Sequence, residues 1–228
     1  MNSFQKLRME LSDSWHFFQR NLRTIAYIAV GLFVPLELIT ITLTYYSEQS
    51  IFLAIIAILK LLAFAISYAA VISYTSSVIK FNPITSYKAW KIASLQAFQF
   101  LGFLIIYYTS VFAGLILLII PGVIILVRFS FVRFFLVVEK KNIVDSFKLS
   151  WRTTKEAQWR LLFGLLLIYF VIFTFSEALK NFLPMEEIDT NVMHNFLSSA
   201  IFLITYISYQ FETIFSYRIY DGTLKSQN

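Results

Sequence analysis

Residues 51–73 read IFLAIIAILKLLAFAISYAAVIS, and Lys60 is the single charged residue among them. A helix rises about 1.5 Å per residue, so a run of this length can cross a hydrocarbon layer of about 30 Å. Five further apolar runs lie along the chain, at 24–45, 95–120, 123–138, 161–178 and 196–217. The sequence therefore predicts an all-α membrane protein, a six-span helical bundle.

The run at 123–138 is the shortest of the six and carries two arginines, Arg128 and Arg133. It can cross as a short helix in thinned lipid, or it can form half of a re-entrant hairpin with the preceding run. In both cases Pro121-Gly122 is predicted to form the turn between the two runs.

The composition agrees with a membrane protein and excludes several kinds of chemistry. Of the 228 residues 14% are charged, whereas about a quarter are charged in a soluble domain. The absence of cysteine excludes disulfides, thiolate metal sites and cysteine nucleophiles. The net charge of +6 does not indicate nucleic-acid binding, because the basic residues lie next to apolar runs, where they set orientation and meet anionic lipid.

Lysine and arginine alternate between the connecting segments, and this alternation predicts the topology. Fifteen of the 19 lie before the first, third and fifth runs or in the tail, whereas the intervening turns hold only Lys180. The positive-inside rule therefore predicts that both termini face the cytoplasm. The first apolar run begins only near Thr24 and is too long for a signal-peptide core, so we expect it to stay in the membrane.

An amphipathic segment precedes each pair of apolar runs. In the first, apolar residues recur at steps of three and four from Phe4 to Phe18, which makes one stripe on a helix. The second segment begins at a predicted cap, Thr85, and the third has a stripe from Ile143 to Trp151. Such helices either lie flat at the interface or bury their stripes against neighbouring spans. The predicted interfacial lipid contacts are Trp15, Arg20, Trp90, Lys91, Trp151 and Arg152.

The amphipathic segments divide the chain into three similar units, 1–73, 83–138 and 142–217. Each unit is predicted to be one interfacial helix followed by two spans. No soluble domain is expected, because the longest segments outside the apolar runs have only about twenty residues. We therefore treat 1–228 as a single polytopic membrane domain.

Several charged residues lie inside the predicted spans, where each costs at least about 2.5–3.5 kcal/mol and is usually paired or functional. On an antiparallel hairpin of the first two runs, Glu37 and Lys60 both lie roughly 12–14 Å below the outer surface, so they can form an ion pair. Arg128 enters from the same side and is predicted to lie near Glu37. Towards the inner side, Arg133 and Glu212 lie at comparable heights.

Two interpretations of these charges stay open. In the first, they are structural pairs, and the long basic side chains extend to the headgroups. In the second, Glu37, Lys60 and Arg128 form the core of a polar pocket that holds an anionic phospholipid headgroup or passes a proton.

The sequence contains no recognisable catalytic or metal-binding pattern. Both histidines, His16 and His194, lie outside the spans and far apart, and no zincin, nucleophile-elbow, P-loop or dinucleotide motif occurs. All four aspartates also lie outside the spans. The acidic group at 186–189 is predicted to be a solvated loop rather than a metal site. We therefore expect no catalytic residues, no metal and no cofactor.

The stretch from Leu118 to Phe163 carries a resemblance to a known family. This stretch contains Ile-Ile-Pro121-Gly122-Val-Ile-Ile-Leu, a further apolar run, Val138-Glu139 and Asp145-Ser-Phe-Lys-Leu-Ser-Trp-Arg152. It resembles the YciC-type family of uncharacterised bacterial inner-membrane proteins, and it is similar to the membrane domain fused to some glycerophosphodiester phosphodiesterases. The resemblance implies a helical bundle in the bacterial inner membrane. It implies no enzymatic activity, because those phosphodiesterases carry catalysis in a separate soluble barrel.

Together these observations predict a non-enzymatic multi-pass inner-membrane protein that acts in envelope or membrane-lipid homeostasis. Its expected partners are the phospholipid bilayer, anionic headgroups and a membrane protein, and not nucleic acid. The alternative is a small transporter with a charged site at Glu37, Lys60 and Arg128, although the sequence shows no paired Gly/Pro-broken spans. A third hypothesis, an intramembrane enzyme, would depend on Glu37 or Glu212.

Overall fold

A computed structural model describes residues 3–46, 50–182 and 191–227, and these residues form helices and no β-strand. The acidic group at 186–189 lies outside the described residues. The helices in chain order are α1 (Ser3–Val30), α2 (Phe33–Tyr46), α3 (Ser50–Ile79), α4 (Ser86–Leu95), α5 (Ala97–Leu117), α6 (Ile119–Arg128), α7 (Val132–Val137), α8 (Ile143–Thr153), α9 (Gln158–Phe182) and α10 (Asn191–Gln227).

The prediction of an all-helical chain with several apolar helices of membrane-crossing length is confirmed. Within the described part, four segments are long and apolar enough to cross a membrane: Ile51–Ile79, Ala97–Leu117, Ile119–Val137 and Gln158–Phe182. The bent pair of helices α1 and α2 is a fifth candidate span if the two helices cross together as one. The run at 196–217 lies in α10, which is not among these segments; buried polar residues such as Gln210 and Glu212 lie within this run.

The first predicted span is broken in its middle. Helix α1 continues from the amphipathic segment through Val30, the chain bends by 46° at Gly31-Leu32, and α2 follows. Pro35 contributes to the break because its ring has no N–H to donate and crowds the preceding turn. The Trp90 indole lies against the bend, since a Cβ on Gly31 would lie 2.9 Å from its ring. Its Nε1 donates to the Ile28 carbonyl at 3.1 Å.

Helices α5 and α6 form a hairpin, but the prediction of a turn at Pro121-Gly122 is wrong. The chain turns at Leu118, which has extended backbone between the two helices. Pro121 lies in the first turn of α6, where a missing N–H costs no helical hydrogen bond. Gly122 permits close approach instead, since a Cβ on Gly114 would lie only 2.8 Å from the Gly122 Cα.

The centre of the molecule is formed by α7 and the second half of α10. All six residues of α7 are buried, and Phe134 packs edge-on against Tyr217 with 5.3 Å between ring centroids. The outward faces of α3, α5 and α9 carry exposed apolar side chains, including Ile58, Phe112 and Phe170. Such extensive apolar exposure on three long helices is typical of a surface that contacts lipid.

Candidate functional site

The bundle contains a cavity of about 470 Å³ bounded by α3, α5, α6, α9, α10 and the start of α7. This volume is in the range of small-molecule sites in proteins. Its walls are mainly aromatic and aliphatic, and they include Phe64, Phe103 and Leu126. Tyrosine is the most frequent lining residue, and the six tyrosines are Tyr68, Tyr107, Tyr108, Tyr169, Tyr206 and Tyr209.

One end of the cavity is polar because Arg133 and Glu212 meet there. Arg133 lies in α7 and Glu212 in α10, and the guanidinium donates to both carboxylate oxygens, at 3.0 and 2.5 Å. Both side chains are buried. A bidentate geometry is the strongest form of this interaction, and burial makes the loss of either partner expensive.

Neighbouring groups complete the surroundings of this pair. Arg133 Nη1 also donates to the Tyr68 hydroxyl, and Ser216 Oγ donates to Glu212 at 3.0 Å. The guanidinium lies 4.9 Å from the Phe134 ring centroid, a cation–π distance. The polar end of the cavity is therefore an assembled network with no net charge. Its members come from helices α3, α7 and α10.

The cavity also reaches the outside of the bundle. Tyr108 on α5 is 57% exposed and Tyr209 on α10 is 38% exposed, although both line the cavity. Phe103 and Tyr206, further in, are buried. The opening therefore lies between α5 and α10, on a side of the bundle whose exposed residues are aromatic.

A second charged pair joins α2 to α3. Lys60 Nζ lies 3.0 Å from Glu37 Oε1, as predicted from their heights on the two runs. Ser199 of α10 donates to Glu37 Oε2 at 3.0 Å. Both charged side chains are largely buried. The arrangement satisfies the two charges locally, and neither residue lines the tyrosine cavity.

Arg128 does not join this pair, so the prediction that placed it near Glu37 is wrong. Its guanidinium lies 5.4 Å from the Trp151 ring centroid and donates to the Trp151 carbonyl at 3.2 Å. Its own carbonyl accepts from Ser150 Oγ at 2.6 Å. Arg128 therefore connects the end of α6 to α8. Counting residues along the helix predicts a depth for Arg128, but it does not predict which neighbour Arg128 faces.

The amphipathic segments pack through small or polar residues as well as apolar ones. Helix α8 buries Ser146, Ser150 and Thr153, whereas Trp151 is 46% exposed. Small side chains let helix backbones approach closely, so the bulky stripe remains at the edge of the bundle. Four of the other predicted contacts (Trp15, Arg20, Lys91 and Arg152) are also exposed, and Trp90 is half-buried at the bend.

Two ion pairs that the sequence did not reveal join α1 to later helices. Arg160 at the start of α9 pairs with Glu10, and Arg218 of α10 lies 4.0 Å from Asp13. Glu10 lies well before the first apolar run; burial raises the pKa of its carboxyl, and the positive charge of Arg160 opposes this change. These partners are far apart in sequence, so no local pattern indicates them.

The tyrosine cavity was also missed by sequence reasoning, although one signal was present. Tyrosine normally lies at the ends of membrane spans, yet Tyr68, Tyr107 and Tyr206 lie well inside their apolar runs. Among the residues that the structure describes, no group of three or more His, Asp and Glu lies close enough to hold a metal ion.

A sequence model of the family DUF7847, described as a domain of unknown function, matches residues 35–220. The chain belongs to the DUF7847 family. No curated protein and no solved structure gives a significant match. The DUF7847 match includes every residue that lines the cavity and both intramembrane ion pairs. It begins at Pro35, so it leaves α1 outside.

Proposed function

We propose that this chain is a multi-pass membrane protein that binds a membrane amphiphile in its tyrosine cavity and acts in envelope or membrane-lipid homeostasis. The observation that carries the proposal is the cavity itself, with aromatic walls, a polar inner end and an opening at the side of the bundle. An amphiphile has the same division into an apolar chain and a polar head. The role is binding rather than catalysis.

The side opening supports the bilayer as the source of the ligand. The rim residues Tyr108, Phe202 and Tyr209 are at least 38% exposed, and the surrounding outward faces are apolar. In a bilayer these faces lie in hydrocarbon, so a lipid chain can enter the cavity without crossing water. A water-soluble ligand would have to pass that apolar surface first.

The proposal places the chain in the bacterial inner membrane with both termini in the cytoplasm. Supporting this orientation, fifteen of the 19 lysines and arginines lie in the segments assigned to one side. Six crossings and three interfacial helices complete the topology, with the break at Gly31-Leu32 inside the first crossing. The resemblance to the YciC-type family supports the inner-membrane location in the same proposal.

Photo-crosslinking in vesicles tests the binding. The full chain is reconstituted in phospholipid vesicles with a single-chain lipid that carries a diazirine in its acyl chain, irradiated and mapped by mass spectrometry. We expect labels at Phe103 and Leu104, which are buried and reached from the cavity. Val111→Trp fills the cavity and should reduce these labels several-fold. Phe112→Trp, on the neighbouring exposed residue, is the matched control. Labels confined to outward-facing residues would contradict the proposal.

A second candidate function, transport, is favoured by where the helices break. The break at Gly31-Leu32 precedes Glu37, and the break between α6 and α7 precedes Arg133. Interrupted helices beside buried charges are a feature of many transporter sites, and the sequence alone had not indicated them. A membrane-potential-dependent solute flux in liposomes that is lost in Lys60→Leu would favour this candidate over lipid binding.

A further inference from the structure

We infer that the tyrosine cavity selects a neutral amphiphile with one acyl chain and a hydroxyl-bearing head, and excludes anionic lipids. This inference rests on the proposed function, because it names the class of ligand for the same cavity. Three observations carry it: the internal neutralisation of Arg133, the unpartnered hydroxyl of Tyr206, and the volume.

The charge state of the polar end argues against an anionic head. Both Nη atoms of Arg133 already donate to the two oxygens of Glu212, and Nη1 also donates to Tyr68. The Arg133 Nε–H is buried and without a partner among the described residues, so it offers one hydrogen-bond donor. Because Glu212 already neutralises the guanidinium, an anionic headgroup could form a charge pair with it only by displacing Glu212. That carboxylate would then be buried without its partner, which is the most expensive outcome for a buried pair. A neutral head leaves the pair intact.

Tyr206 provides the hydrogen-bonding group. Its side chain lines the cavity and is 5% exposed, yet its hydroxyl has no hydrogen-bond partner among the residues that the structure describes. Gln210, one turn further along α10, lies close by: its side-chain nitrogen donates to the Tyr206 carbonyl at 3.0 Å, and its side-chain oxygen is also without a partner among the described residues. A buried hydroxyl left unpaired costs about 1–3 kcal/mol. A ligand hydroxyl can both donate to it and accept from it.

The volume of the cavity limits how many acyl chains the ligand can have. A cavity of about 470 Å³ that opens at the side holds a small head and most of one acyl chain, and it is well below the volume of a phospholipid with two chains. The aromatic walls suit such a chain, because the rings of Phe64, Phe103 and Phe129 carry no hydrogen-bonding group. A monoacylglycerol combines these properties: one chain, no charge and two free hydroxyls.

Native mass spectrometry of the full chain in detergent tests the ligand class. The protein is titrated separately with monooleoylglycerol, with oleoyl lysophosphatidic acid, which has the same chain and an anionic head, and with dioleoylglycerol. We expect one bound monooleoylglycerol, with at least about ten-fold weaker binding of the other two. Tyr206→Phe should weaken monooleoylglycerol binding about two- to ten-fold, the loss of one hydrogen bond. Tyr87→Phe, at an exposed position outside the cavity, should not change it.

The outcomes separate this inference from the proposed function. If Val111→Trp blocks binding but lysophosphatidic acid binds as well as monooleoylglycerol, the cavity binds lipid and the selectivity for neutral heads is wrong. Equal binding of dioleoylglycerol would overturn the single-chain requirement. An unchanged affinity in a folded Tyr206→Phe protein would overturn the role of its hydroxyl. If no lipid binding responds to Val111→Trp, the proposed function itself fails.

Discussion

At the scale of single residues, the Arg133–Glu212 pair has the largest consequences for stability. Both side chains are buried, and two parallel hydrogen bonds join them. Removal of one partner therefore leaves the other charge unpaired in a medium of low polarity. We expect Arg133→Leu to reduce the free energy of unfolding by about 3–5 kcal/mol, and Arg133→Leu/Glu212→Leu to recover much of that loss. Denaturation in detergent micelles measures the free energy of unfolding of both variants.

A surface pair supplies the control for this experiment. Lys180 and Glu177 are 2.8 Å apart, but both side chains are well exposed. Lys180→Leu should therefore change stability little. A double variant at 133 and 212 that is no more stable than Arg133→Leu would show that the pair does not stabilise by mutual neutralisation.

The Glu37–Lys60 pair makes a second residue-scale prediction. Lys60→Leu leaves Glu37 with Ser199 as its hydrogen-bond donor but without its counter-charge. We expect Lys60→Leu alone to destabilise the protein more than Glu37→Gln/Lys60→Leu, as measured by a double-mutant cycle in thermal unfolding. Additive losses in the cycle would contradict direct pairing.

Sequence reasoning reached some of these residues and not others for a geometric reason. Glu37 and Lys60 lie on consecutive runs joined by a short turn, so counting residues from the turn gives both their height and their neighbour. Arg128 has a definite height, but the neighbour that it faces depends on how α6 rotates against α8. The tyrosine cavity depends on six helices at once, which no local pattern can specify.

At the scale of elements, glycines determine how closely the helices pack. A Cβ on Gly164 of α9 would lie 2.1 Å from the fully buried ring of Phe215 on α10. We expect Gly164→Ala to destabilise the protein by about 1–3 kcal/mol, because the ring has to move in a packed interior. Gly222, with nothing within 4 Å, is the matched control.

The two alanine variants should differ in sign. Gly222→Ala lies in open space within α10 and should stabilise the helix by up to about 1 kcal/mol. Thermal unfolding of the two purified variants beside the wild type measures the difference. Equal effects at positions 164 and 222 would show that α9 and α10 do not pack as closely as the structure has them.

Glycine also explains why the predicted turn at Pro121-Gly122 is wrong. Pro-Gly is a strong turn signal, yet both residues are compatible with the first turn of a helix, and Gly122 is needed where α6 approaches Gly114. Likewise, the change from a mixed polar to an apolar composition near Thr24 does not mark the end of α1. The helix continues until Gly31, because the same polar-to-apolar chain can remain helical across a change of surroundings. The apolar runs at 51–73, 95–120, 123–138 and 161–178 coincide with helical segments long and apolar enough to cross a membrane.

At the scale of the whole molecule, charge distribution predicts the orientation. A reporter that is active only in the cytoplasm should be active when fused after Asn228 and inactive when fused at Glu186, because few basic residues surround the latter. Insertion of the reporter near Glu139, in a basic segment, should restore activity. Activity at Glu186 together with inactivity at the C-terminus would reverse the topology.

The central claim is that the bundle holds a membrane amphiphile between α5 and α10. Native mass spectrometry of the gently extracted protein, before any lipid is added, tests it most directly. The account predicts one retained endogenous lipid on the wild type and on Phe112→Trp, and loss of that lipid from a folded Val111→Trp protein. A wild type that retains no lipid, or a Val111→Trp protein that retains the same lipid, would contradict the account.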